Sequence, residues 1–174
     1  ENSMLVLRPA DVHETTVAWK MAMENSTTPT GLILSRQNIK DLPVEGESPF
    51  AAALKSEKGA YIVEDEAGYD VILLASGSEV STLVEGAALL RADGVPSEGL
   101  FRSQPAEYQN SILPAGKKKF GLTAGLPVTL EGLVGADGAV WGMKSFGFSA
   151  PYTVLDEKLG YTGKNVYEQV KKLL

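Results

Sequence analysis

The sequence predicts an α/β fold, and three observations carry that prediction. Two short apolar runs, MLVLR (Met4–Arg8) and GLILS (Gly31–Ser35), flank an amphipathic helical stretch, the pattern of a parallel strand–helix–strand unit. A second alternation of strand-like and helix-like segments begins near Gly59. Two amphipathic helices then close the chain.

Each element follows from local chemistry. The first strand is stopped by Pro9, and Asp11 with Glu14 three residues later makes a capping-box-like start for a helix over ADVHETTVAWKMAMEN. Val17, Ala18, Met21 and Ala22 form its apolar stripe. STTPT breaks this helix before the second strand. From about Leu42 to Gly59, Pro, Gly, Ser and charged residues mix around one helical turn at Phe50–Leu54, a linker pattern. AYIVED and YDVILLAS read as an antiparallel hairpin turning at EAG. GSEVSTLVEGAALLRADG reads as one helix capped by Ser78, with Val80, Leu83, Val84, Ala87 and Leu90 on its buried face and Gly94 at its stop.

The pattern then breaks. A parallel module needs a strand after this helix, yet GVPSEGLFRSQ offers only Val95 and a loop. Beyond it come a short helix at QPAEYQNSIL, a strand at KKFGLTAG, a turn at Gly135–Gly138 and a strand around Ala139–Met143. The closing helices are PYTVLDEKLG, stopped by Gly160, and KNVYEQVKKLL, with Val166, Val170 and Leu173 on one face.

Composition narrows the function classes. The 174 residues are 44% hydrophobic and 22% charged, values of a folded globular chain. Net charge is −6 and the densest basic run is the KKK of 117–119, so no nucleic-acid partner is expected. Without cysteine there is no disulfide, thiol catalysis or zinc–thiolate site, and a single histidine excludes His-rich metal sites. No apolar run reaches the roughly 20 residues that cross a bilayer, so no membrane partner is expected. The start ENSMLVLR lacks an initiator Met at position 1 and falls almost inside a strand, which reads as a piece of a longer polypeptide.

Five places could carry chemistry. Arg36, just past the second strand, sits where parallel units gather ligands, and Arg8 ends the neighbouring strand. A guanidinium there suits bidentate phosphate or carboxylate binding, or a structural ion pair. Gly77-Ser78-Glu79 opens a helix after a strand, but Glu79 repels phosphate and simple capping is the expectation. His13, in the first turn of a helix, is expected at the surface. FGFSAP around Ser149 lacks the second Gly of a nucleophile elbow and reads as a loop before a helix. GADG at 135–138 lacks the order of a metal–diphosphate motif and reads as a turn.

VLRPADVHETTVAW, TGLILSRQN, VILLASGSEV, LFRSQPAEYQNSILP and SFGFSAPYTVLDEKLGYTGKNV, taken in that order, resemble the C-terminal part of transketolases. The wording of SRQN and FGFSAP is closer to them than to the related deoxyxylulose-phosphate synthases or pyruvate dehydrogenases. The resemblance implies that residues 1–41 end a pyrimidine-binding domain, 42–58 form a linker, and 59–174 form a Rossmann-like three-layer α/β/α C-terminal domain with a mostly parallel sheet. It also implies thiamine diphosphate and Mg²⁺ as cofactors of the intact enzyme, transfer of a two-carbon ketol unit between sugar phosphates in the pentose phosphate pathway, a homodimer and a cytoplasmic location. Arg36, in the family's Ser-Arg-Gln-Asn motif, becomes a substrate-binding residue. No catalytic, cofactor-binding or metal residue is carried over, so the piece alone is expected to be inactive. A structural, dimerising or phosphometabolite-binding module is the alternative. One departure stands out: family members carry a strand between the helix ending near Gly94 and VPSEGLF, and none is legible here.

Overall fold

The computed structural model of the chain describes residues 3–87 and 91–174, with 91–93 described by backbone alone. The opening unit has the predicted strand–helix–strand order, but its second strand is shorter than GLILS: it ends at Leu32, and Ile33 and Leu34 lie exposed beyond it. Strand β1 (Leu5–Leu7) leads into α1 (Val12–Glu24), which returns to β2 (Thr30–Leu32). The strands pair in parallel, Leu5 opposite Thr30 and Leu7 opposite Leu32. Asp11 caps α1 by accepting the Glu14 N–H at 2.8 Å, and Glu14 Oε2 reaches back to the Ala10 N–H at 2.8 Å. The first is an orphan donor of the helix start, and the second holds the residue just before the cap, a capping box displaced by one residue.

The stretch read as a linker is partly ordered. It holds α2 (Pro49–Ala53), capped by Ser48, and a 3-10 turn (Leu54–Lys58). Gly59, at φ 84°, ends that turn. A Cβ on Gly59 would lie 2.3 Å from the Phe101 backbone nitrogen, so only glycine fits.

A five-stranded sheet follows, in the order β3-β5-β4-β6-β7. Its strands are β3 (Tyr61–Glu64), β4 (Val71–Ala75), β5 (Arg91–Gly94), β6 (Lys118–Leu122) and β7 (Ala139–Trp141). All neighbours run parallel except β3, which is antiparallel to β5. Strand β4 fixes the layers. Its five residues are all fully buried, the near-continuous apolar run of a strand covered on both faces. Val71, Leu73 and Ala75 face one core with Val80, Leu83, Val166 and Val170, supplied by α3 (Glu79–Gly86) and α8 (Gly163–Leu173). Ile72 and Leu74 face the other with Phe101, Ile112 and Val134, from α4 (Glu98–Ser103), α5 (Ala106–Ile112) and α6 (Val128–Val134). The result is the expected three-layer α/β/α arrangement, with α7 (Tyr152–Leu159) stopped by Gly160 at φ 79° before α8.

Four expectations are corrected. AYIVED and YDVILLAS are not a hairpin, because β5 is inserted between β3 and β4 and bonds to both. The helix does not run to Gly94. It ends at Gly86, and Arg91–Gly94 forms the strand that seemed missing. Ala, Leu and Arg favour helix locally, but pairing on both sides of β5 overrides that preference. The expectation for Leu90 falls outside the described residues. GVPSEGLFRSQ is not a plain loop, since Glu98–Ser103 makes α4 around the buried Phe101. Ser78 sits in helical φ/ψ and makes no side-chain cap; its hydroxyl lies 3.3 Å from Glu79 Oε2. LPVTLEGLV, which carries α6, went unread in the sequence.

The opening unit is stitched onto the larger sheet. The Arg8 N–H donates to the Pro96 carbonyl at 3.0 Å, and the Gly77 N–H donates to the Arg8 carbonyl at 2.9 Å. The Tyr61 hydroxyl donates to Glu14 Oε1 at 2.6 Å. Asp11 Oδ2 accepts the Leu42 N–H at 3.1 Å.

Candidate functional site

The carboxyl ends of β1 and β2 lie side by side, the Ile33 N–H donating to the Leu7 carbonyl at 2.9 Å. The two arginines that follow these ends have different fates. Arg8 is committed. Its guanidinium donates to Ser76 Oγ at 3.0 Å and to Glu79 at 3.3 Å, and its side chain is only 24% exposed. Glu79, almost fully buried, also accepts the Ala124 N–H at 2.6 Å. One carboxylate therefore binds the end of β1, the start of α3 and the loop after β6.

Arg36 is uncommitted. It is exposed, and no described residue accepts a hydrogen bond from it or pairs with it. The Ser35 hydroxyl donates to the Gln37 carbonyl at 3.0 Å, closing a tight bend around it. The fork is thus held on a shaped loop at a strand's carboxyl end, with all five N–H donors available to an anion.

Strong perturbation surrounds the stitched edge. Burial is the largest cause holding Glu14 up at about 7, opposed by its bonds from Tyr61 and Ala10. Tyr161, whose hydroxyl donates to the Thr123 carbonyl at 2.9 Å, is pushed up to about 12 by burial and by Glu79. Asp156 is raised by burial and then by Glu79. These are features of a packed junction, and Glu14, Asp156 and Tyr161 themselves line neither of the two main cavities. A cavity of about 800 Å³ does open between β1 and the carboxyl edge of the large sheet, past Arg8, Ser76 and Thr123, but Arg36 is not on its wall.

The remaining candidates resolve as follows. Glu79 fills the mouth of the Gly77-Ser78-Glu79 turn and pairs with Arg8, which leaves no anion cradle. Gly135–Gly138 is a turn, the Gly138 N–H donating to the Gly135 carbonyl at 3.3 Å, with Asp137 exposed. Ser149 is exposed and makes no hydrogen bond to His13. His13 is not simply at the surface: its ring is 30% exposed, but Nδ1 is buried without a hydrogen-bond partner. Sequence reasoning missed that atom, because the loop that brings Asp41 near it is distant in sequence.

Comparison with known proteins settles the lineage. The Transketolase-like TK C-terminal domain family matches residues 59–162, more than half of the chain. The chain belongs to that family. A curated transketolase from Staphylococcus epidermidis is 41% identical over 180 residues, covering 98% of this chain and 27% of its own length. Transketolase 2 of Vibrio parahaemolyticus is 39% identical over 99% of this chain. Among solved structures, transketolase from Leishmania mexicana superposes with a TM-score of 0.86 at 36% identity, over 98% of this chain and 25% of that one. A Pichia stipitis transketolase crystallised with sedoheptulose 7-phosphate gives 0.88 at 29% identity, over 98% and 25%. The chain thus spans about a quarter of the length of the transketolases it matches. The resemblance carried by SRQN and FGFSAP is a family membership, and the α/β architecture is that of the family's solved members.

Proposed function

We propose that this chain serves as the C-terminal part of a transketolase, a thiamine diphosphate-dependent enzyme that moves a two-carbon ketol unit between sugar phosphates. In this reading residues 1–41 close the pyrimidine-binding domain, 42–58 cross the surface, and 59–174 form the C-terminal domain. Arg36 binds the phosphate of the substrate. The single observation that supports this role is its free guanidinium on the bend after β2. A planar fork meets a phosphate dianion through two parallel hydrogen bonds. That a related enzyme crystallises with a phosphorylated ketose supports the same substrate class.

The residues present do not fit the cofactor. Asp137 of the GADG turn is exposed and belongs to no metal-capable cluster among the described residues, and Asn165, about thirty residues on, is already committed, its Nδ2 donating to the Gly160 carbonyl at 2.8 Å and its Oδ1 accepting from Gln169 at 3.0 Å. The carbanion chemistry in such an enzyme belongs to the cofactor, and this chain contributes orientation and charge. A cytoplasmic homodimer is the assembly in which the reading places it.

The test compares donors. In the intact enzyme carrying this chain, Arg36→Ala is expected to raise KM for phosphorylated ketoses at least tenfold and to leave an unphosphorylated donor unchanged. Equal turnover of both donors, as in the parent, removes Arg36 from the site. Calorimetry of the 174-residue chain with thiamine diphosphate should show no heat of binding; micromolar affinity would place the cofactor site here instead.

A further inference from the structure

We propose that Asp11, His13 and Asp41 bind one divalent transition-metal ion of the zinc class, at the foot of the loop that displays Arg36. The site stands on the geometry of these side chains and is independent of the transketolase reading.

The starting point is the orphaned nitrogen. Among the described residues, His13 Nδ1 is the one buried side-chain polar atom without a hydrogen-bond partner. Such atoms in folded chains call for an ion, a water or strain to account for them. Asp11 Oδ2 lies 3.7 Å from His13 Nδ1. That is too long for an N–H···O bond. It is the spacing of two ligands on one ion: groups each about 2.0–2.2 Å from zinc stand roughly 3.3–3.7 Å apart at near-tetrahedral angles. Asp41 supplies a third donor, and one ligand atom from each of the three residues falls within 4.8 Å of the others. Asp41 is exposed, so its carboxylate is free to swing the remaining distance.

Charge and orientation agree. Neither aspartate is paired with Lys or Arg among the described residues, and the adjacent Lys40 turns away to Glu85 at 2.6 Å. Two carboxylates beside one imidazole offer a donor set for a dication. Asp11 is already fixed in place, Oδ1 by the Glu14 N–H at 2.8 Å and Oδ2 by the Leu42 N–H at 3.1 Å. Such outer hydrogen bonds are what orient metal-binding carboxylates, and Oδ2 retains a lone pair. The donor set selects the ion. One imidazole nitrogen favours Zn²⁺, Co²⁺ or Ni²⁺ over Mg²⁺ and Ca²⁺, which take oxygen ligands, and water completes the coordination.

The position gives the ion a task. It joins the first turn of α1 to the far end of the loop over residues 33–41. The near end of that loop is already held by the Ile33 N–H on the Leu7 carbonyl. A bound ion would reinforce the far end, where the Leu42 N–H already reaches Asp11, so that the bend around Arg36 is held firmly at both ends.

The chain contains one histidine, so a single imidazole signal reports the site without assignment. Zinc titrated into the full 174-residue chain is expected to shift that ring's nitrogen and proton resonances and to saturate at one equivalent, with Mg²⁺ and Ca²⁺ at the same concentration leaving it unmoved. Co²⁺ should give the visible absorption of a low-coordinate site. His13→Gln and, independently, the surface change Asp41→Asn should each weaken binding at least tenfold. An imidazole unmoved by zinc overturns the proposal. So does His13→Gln or Asp41→Asn binding zinc as tightly as the parent, or binding that never saturates at one equivalent.

Discussion

The guanidinium of Arg8 and the carboxylate of Glu79 meet at 3.3 Å across 71 residues of sequence, and this pair is the tie between the opening unit and the large sheet. Glu79→Ala strands two partners: a largely buried cation and the Ala124 N–H. Losing one member of a buried pair costs about 3–5 kcal/mol, and the 24% exposure of Arg8 lowers that to about 2–3. Denaturant unfolding measures it; a loss under about 0.5 kcal/mol would mean the pair is not a structural tie.

Arg36 should behave in the opposite way. It is exposed and unpaired among the described residues. Arg36→Ala should then change stability by no more than about 0.5 kcal/mol. A large drop in melting temperature would reveal a packing role and weaken its assignment to substrate.

Glu14 makes stability depend on pH. Its folded value, about 7, lies above the ordinary 4.5 because the carboxyl is buried. Between these values the folded chain binds more protons than the unfolded one. The contribution of Glu14 is therefore full below about pH 4.5 and is lost as pH rises through about 7, on the order of 3 kcal/mol in all. Glu14→Gln should flatten that part of the stability curve. A variant with the same slope between these pH values as the parent would place the titration elsewhere.

Gly59 tolerates no side chain. Its φ of 84° and the 2.3 Å approach of a Cβ to the Phe101 nitrogen predict that Gly59→Ala costs roughly 3 kcal/mol or more. Gly68, at φ 78° with open space around it, is the control, and Gly68→Ala should cost about 1 kcal/mol. Equal losses at the two positions would show that the crowding at Gly59 relaxes.

Much of this was legible in the sequence because local chemistry and tertiary structure agree. Asp11 and Glu14 announce the start of α1, VILLA announces a strand buried on both faces, and Gly160 announces a stop. Legibility failed where packing overrules local preference. Arg91–Gly94 holds no β-branched residue, yet it is a strand because β3 and β4 offer it two ladders. The same insertion hid the true partner of β3, since a short turn at EAG suggests adjacency that the sheet does not have. At the candidate site, Arg36 stood out as a charge beside a strand end. The commitment of Arg8 to Glu79 did not, and neither did the approach of Asp41 to His13. Such meetings depend on segments far apart in sequence, and no periodicity encodes them.

The stitching of the opening unit has a temporal side. Arg8 finds its backbone partners at Gly77 and Pro96, and Glu14 waits for Tyr61. During synthesis at about 5–20 residues per second, β1 and α1 leave the ribosome seconds before those partners exist. Residues 1–41 are therefore made before the sheet edge they dock on, and they lock onto it only once residues 59–97 have emerged.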